Sequence, residues 1–85
     1  AASDVYKRQV QVARGKTELR DGQITSLETA VRSTQLLMKH GNSTYLEVLT
    51  AQQSLLSAQL TQIADRFDEI QGIINLYQAL GGGRE

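Results

Sequence analysis

The sequence has no proline, no cysteine and no tryptophan, and Phe67 is its one phenylalanine among 85 residues. Each absence excludes something. Without proline, no helix is broken by a missing amide and a ring that clashes with the preceding turn. Without cysteine there is no disulfide, no zinc–thiolate site and no thiol nucleophile. The compartment stays open, because many periplasmic proteins lack disulfides. Hydrophobic residues make up 40% and aromatics 5%, too little bulk for a thick multi-layer core. Nine basic and nine acidic residues leave a formal net charge of zero. The chain therefore has no general attraction for phosphate backbones or anionic lipid, which disfavours a nucleic-acid partner. No apolar run approaches the ~20 residues that span a bilayer as a helix. Ala1 to Val10 carry no hydrophobic stretch of the signal-peptide kind, and the chain does not begin with methionine. The expectation is a fragment whose parent, if exported, carries its targeting segment upstream.

What is present is periodicity. In the second half, Leu46, Gln53, Leu60, Phe67 and Ile74 fall seven apart, and Leu49, Leu56, Ile63, Ile70 and Tyr77 interleave with them. Only Gln53 breaks this seam, and a seam so sustained argues for a helix packed along its length on another helix. The expectation is that it packs on the preceding helix. Two lesser columns accompany it. One holds Val48, Leu55 and Leu76, interrupted by Gln62 and Glu69. The other holds Ala51, Ala58, Gly72 and Ala79, interrupted by Asp65. Small side chains let a neighbouring backbone come close, so this helix is expected to have more than one neighbour.

The first half is weaker. Its seam runs Val10, Thr17, Ile24, Val31 and Met38, with Ala13, Arg20, Leu27 and Thr34 between. Gly15 and Gly22 each cost about 1 kcal/mol relative to alanine inside a helix, and Asp21-Gly22 also suits a turn. The periodicity resumes in phase on both sides, which favours one helix, bent there at most. The stretch Ser3 to Gln9 does not extend the seam. It resembles a translated linker sequence of the sort found at the ends of assembled sequence fragments, and is set aside from fold reasoning.

Between the halves, Lys39 and His40 complement the negative end of a helix dipole, and Gly41 suits the left-handed residue that ends a helix. Thr44-Tyr45-Leu46-Glu47 has capping-box spacing: the Thr44 hydroxyl accepts from the Glu47 amide and the Glu47 carboxylate returns to the Thr44 amide. So short a connection makes the two helices antiparallel neighbours. Gly81-Gly82-Gly83 supplies a stop, and a helix from Tyr45 to Leu80 is ~54 Å long. The expected fold class is all-α, a long antiparallel two-helix coiled-coil hairpin. The expected divisions are a non-native or disordered lead-in over 1–9, a first helix over 10–40, a tip turn over 41–44, a second helix over 45–80 and a glycine-rich exit over 81–85.

Nothing in the sequence assembles a catalytic, cofactor or metal site. His40, the only histidine, has no partner at ligand spacing. Ser54 and Ser57 have no histidine near them in sequence, which leaves nucleophilic catalysis without support. Asp65, Asp68 and Glu69, close to Arg66, read as a solvated face with local ion pairs, and no calcium-binding loop surrounds them. The expectation is a protein that is not an enzyme.

The run Lys39-His40-Gly41-Asn42-Ser43-Thr44-Tyr45-Leu46-Glu47-Val48-Leu49-Thr50-Ala51-Gln52 resembles the helix–turn–helix signature of the TolC-type outer-membrane efflux family. Gln53 to Leu60 and the closing Leu76-Tyr77-Gln78-Ala79-Leu80-Gly81-Gly82-Gly83 extend the likeness, which covers about Ile24 to Gly83. The resemblance implies one helical hairpin of a homotrimeric channel that sits in the outer membrane and projects a helical barrel through the periplasm. It implies a periplasmic place for this segment, with Gly41, Asn42, Ser43 and Thr44 at a tip that docks a periplasmic adaptor protein and, through it, an inner-membrane pump. The cargo it implies is small toxic molecules, or secreted polypeptides in some members. Glu47, whose plain role is capping, is implied to form an acidic ring at the pore constriction. Many relatives carry an aspartate one turn on, where this chain has Thr50, a residue that still narrows the pore. A coiled-coil hairpin of a periplasmic adaptor protein is the alternative that composition and periodicity leave open.

Overall fold

The computed structural model describes residues 2–81. Two helices account for nearly all of them: α1, Ala2–Lys39, and α2, Tyr45–Ala79. They lie antiparallel as a rod of 66 × 15 × 13 Å. Its radius of gyration is 19.0 Å, against roughly 12 Å for a compact domain of this length. The all-α hairpin is therefore as expected. Both helices run without a break, and Asp21-Gly22 lies inside α1.

α1 begins at Ala2, eight residues before the expected boundary. Residues 2–9 are helical rather than a disordered lead-in, because nothing in them interrupts the backbone ladder and Asp4 sits in the first turn, where a negative charge complements the helix dipole. Ala1 and residues 82–85 of the expected exit lie outside the described residues. Gly81, which is described, has a φ of 77° and closes α2 by donating its amide to the Gln78 carbonyl at 3.0 Å.

The faces that meet are a mixture of expectation and surprise. On α1 the buried residues are Val10, Ala13, Thr17, Ile24 and Val31, the seam read from the sequence. Thr17 is tolerated there because its hydroxyl donates to the Ala13 carbonyl at 3.0 Å, leaving no unpaired polar group on the seam. On α2 the buried residues are Val48, Ala58, Asp65 and Gly72, with Ala51, Leu55, Gln62, Glu69 and Leu76 half-buried between them. These are the two lesser columns. The expected seam lies on the far side: Leu46 is 71% exposed, Leu56 56%, Ile63 66%, Phe67 68% and Ile70 57%. The expectation that Leu49, Leu56, Ile63 and Ile70 pack on the first helix is overturned.

The reason is steric and electrostatic. A side chain added at Gly72 would stand 3.5 Å from Val10 Cγ2 and 3.9 Å from the Val10 Cα, so the glycine marks where α1's backbone comes close. Polar partners on α1 match the same face of α2. Arg20 Nε donates to the buried Asp65 carboxylate at 3.1 Å, and Gln62 Nε2 donates to Asp21 Oδ1 at 2.6 Å. Arg14 meets Glu69 at 3.3 Å, Lys16 meets Asp68 at 3.9 Å and Arg66 meets Asp21 at 3.5 Å. The acidic cluster of α2 is thus cross-linked to α1, rather than being a solvated face with pairs along its own helix. Apolar strength reported how much surface α2 offers to be buried, not which neighbour buries it.

Gly15 and Gly22 have open space around the position of a Cβ. Gly22→Ala is expected to raise the stability of the chain by about 1 kcal/mol in urea unfolding. Gly72→Leu, which forces bulk against Val10, is expected to lower it by ~1–3 kcal/mol.

Candidate functional site

The bend is built from the end of α1. Gly41 takes a φ of 78°, in the left-handed region where a Cβ is penalised. Its amide donates to the Met38 carbonyl at 3.0 Å, and the Asn42 amide donates to the Leu37 carbonyl at 2.8 Å. This pair of bonds is the Schellman closure, which satisfies carbonyls that the ended helix leaves open. Gly41, Asn42 and Thr44 are exposed and Ser43 is half-buried. A Cβ at Gly41 would meet nothing within 4 Å, so the bend is bare on its outer side.

α2 restarts at once. Thr44, with φ −97° and ψ 160°, is its N-cap and accepts from the Glu47 amide at 3.2 Å. The second half of the expected capping box is different: the Glu47 carboxylate accepts from the Ser43 hydroxyl. Because the cap is completed from Ser43, the bend is tied to the first turn of α2 by side chain as well as by backbone.

Glu47 and Thr50 are both exposed and stand one turn apart on one face of α2. The Thr50 hydroxyl donates to the Leu46 carbonyl at 2.9 Å, which leaves only its lone pairs for solvent. This face therefore presents acceptors, one of them a carboxylate, and suits a cation or a hydrogen-bond donor. His40 is exposed at the end of α1, and among the described residues no group of three or more His, Asp or Glu is placed to hold a metal ion.

An exposed bend between two long helices, one of which wears its strongest apolar stripe outward, is what the sequence comparisons have to explain. The profile of the outer membrane efflux protein family matches residues 4–82. The chain belongs to that family. The cation efflux system protein CusC of Escherichia coli (strain K12) is 37% identical over 60 residues, which is 71% of this chain and 13% of that protein. The solvent efflux pump outer membrane protein SrpC of Pseudomonas putida is 46% identical over 43 residues, 51% of this chain and 9% of that protein. The toluene efflux pump outer membrane protein TtgI, from a strain of the same species, matches to the same extent. The chain thus spans a small part of the length of these relatives. No solved structure gives a significant match. Membership of the efflux-protein family decides against the adaptor-hairpin alternative.

The sequence located the bend residues and the acidic residue beside them. It missed the cross-helix polar cluster, although the signal was present. Folding the chain back about the 40–44 bend sets Arg20 opposite Asp65 and Arg14 opposite Glu69, opposite charges at matching heights.

Thr44→Ala is expected to lower stability by about 1 kcal/mol through loss of the cap, and Gly41→Ala by ~1–2 kcal/mol through the positive φ. Urea unfolding followed by far-ultraviolet circular dichroism measures both.

Proposed function

We propose that this hairpin is a piece of the wall of a trimeric outer-membrane efflux channel, with the bend at residues 41–44 forming a periplasmic tip. One observation carries the reading: α2 turns a stripe running from Leu46 to Tyr77 away from α1. Such a stripe on a monomeric rod is a cost in water, whereas in a tube of parallel and antiparallel helices it is the surface against the next helix. Family membership supports the same reading. The parent channel sits in the outer membrane, this segment lies in the periplasm, and the protein works as a conduit rather than an enzyme, with no cofactor.

In this reading Gly41, Asn42, Ser43 and Thr44 dock a periplasmic adaptor protein, which couples the channel to an inner-membrane pump. The bare outer side of Gly41 is what lets a partner's helix end come close. Glu47, repeated by threefold symmetry, sets a ring of negative charge at the constriction, which favours cations in a narrow aqueous passage. Thr50 adds a ring of acceptors one turn further in. The cargo is small toxic compounds, in keeping with the cation, solvent and toluene in the names of the relatives. The expected divisions of the chain follow: two long helices, the tip at 41–44 and an exit after residue 80.

Two measurements test this. The longer chain that carries this hairpin, purified in detergent, is expected to sediment as a trimer, and a stable monomer or dimer overturns the reading. Within that channel, Gly41→Leu is expected to abolish crosslinking from the tip to the adaptor and to lower toxicant resistance. The positive φ of Gly41 makes the substitution cost stability, so the comparison is made on variants whose helical circular dichroism is kept. Unchanged crosslinking and resistance in a folded variant refute the docking role.

A further inference from the structure

α2 has two faces able to meet α1, and the more apolar one is turned away. The hydrophobic effect alone favours the opposite choice, because the stripe through Leu56, Ile63 and Ile70 offers far more apolar area than Ala51, Ala58 and Gly72. Something must select the poorer face. The bend sets the two helices side by side and fixes their heights, and the close approach at Gly72 suits the small-residue face. The other difference is polar. Only with the small-residue face inward does Asp65, 5% exposed, reach Arg20, and does Gln62 reach Asp21.

We propose that Arg20 is a positioning residue that sets the rotation of α2, and that by pairing with Asp65 it keeps the apolar stripe outward for other helices. With Arg20 present, the observed orientation buries a compensated carboxylate. Without it, the same orientation buries a lone carboxylate, a heavy penalty. Turning α2 about its axis then releases Asp65 to water and buries the leucine and isoleucine stripe in its place. The two partners are not equivalent. The Arg20 side chain is 30% exposed against 6% for Asp65, so losing Asp65 leaves an arginine that can reach solvent. Losing Arg20 leaves an acid that cannot, unless the helix turns. Arg14, Lys16 and Arg66 do not substitute for Arg20, because they are engaged with Glu69, Asp68 and Asp21 at other heights or on the other edge.

The absence of native cysteine makes single thiol probes clean. Ile63→Cys reports the outward stripe and Ala58→Cys the inward face, with labelling rates of the 85-residue chain extrapolated to infinite dilution so that self-association does not shield the stripe. With no other substitution, the thiol at position 63 labels fast and the thiol at position 58 slowly. Arg20→Ala is expected to reverse this order, each rate shifting by about tenfold or more, as the penalty of a lone buried carboxylate requires. Asp65→Ala, and the double variant Arg20→Ala/Asp65→Ala, are expected to shift both rates in the same direction as Arg20→Ala but by less, since they lose the selecting pair without leaving a lone acid to expel. Unchanged rates in Arg20→Ala overturn the proposal. So does fast labelling at both positions, because the pair then only holds the hairpin shut. None of these outcomes depends on trimer formation or adaptor docking.

Discussion

A buried carboxylate needs a partner, and in this hairpin that need is met from the opposite helix. Asp65 lies in the middle of the α1–α2 contact, with Arg20 Nε 3.1 Å away. Around it, Asp21, Gln62, Glu69 and Arg14 complete a set of cross-helix links. These links occupy positions that an ordinary two-helix coiled coil fills with leucine. The contact between the helices is consequently thin: Val48, Ala58 and Gly72 on one side, Val10, Ile24 and Val31 on the other. The arrangement exchanges apolar burial inside the hairpin for orientation of the apolar surface outside it.

That exchange explains why a rod of 66 Å exposes so many large apolar side chains. Leu46, Leu60, Phe67 and Tyr77 are all more than half exposed, which is unfavourable for a lone hairpin and is the ground for proposing that other helices cover them. The bend follows the same logic. Its geometry is closed internally, by the Schellman bonds of Gly41 and Asn42 and by the Thr44 and Ser43 links to Glu47. It therefore needs no neighbour to hold its shape and keeps its outer side free.

The charge pattern of the chain takes on a different sense in three dimensions. A formal charge of zero does not reflect sparse or scattered charges. Much of it is cancellation between facing helices, with Arg14, Lys16 and Arg20 on α1 set against Glu69, Asp68 and Asp65 on α2. Most of these pairs are exposed and individually worth little; the Asp65 pair differs because its carboxylate is buried. Glu47 stands apart from this balance, close to the tip on an exposed face with no cation paired to it among the described residues. The pore-lining role is proposed for it, and not for the acidic cluster higher up, which is cross-linked to α1.

Much was legible along the chain. The absence of proline, the long three-and-four spacing and the glycine between two capped segments determined two continuous helices and the bend between them, because helix propagation and termination are local. The α1 seam from Val10 to Val31 was legible for the same reason, since the longest apolar column of α1 is the one that faces α2. α2 has two candidate faces, and no local rule chooses between them. The stronger stripe through Leu49, Leu56 and Ile63 pointed to the wrong neighbour, because hydrophobic periodicity measures how much surface is to be buried and is silent about what buries it. Only the tertiary structure decided the rotation of α2, through contacts between residues about forty-five positions apart, Arg20 and Asp65 among them, whose energies depend on distance in space rather than on spacing along the chain.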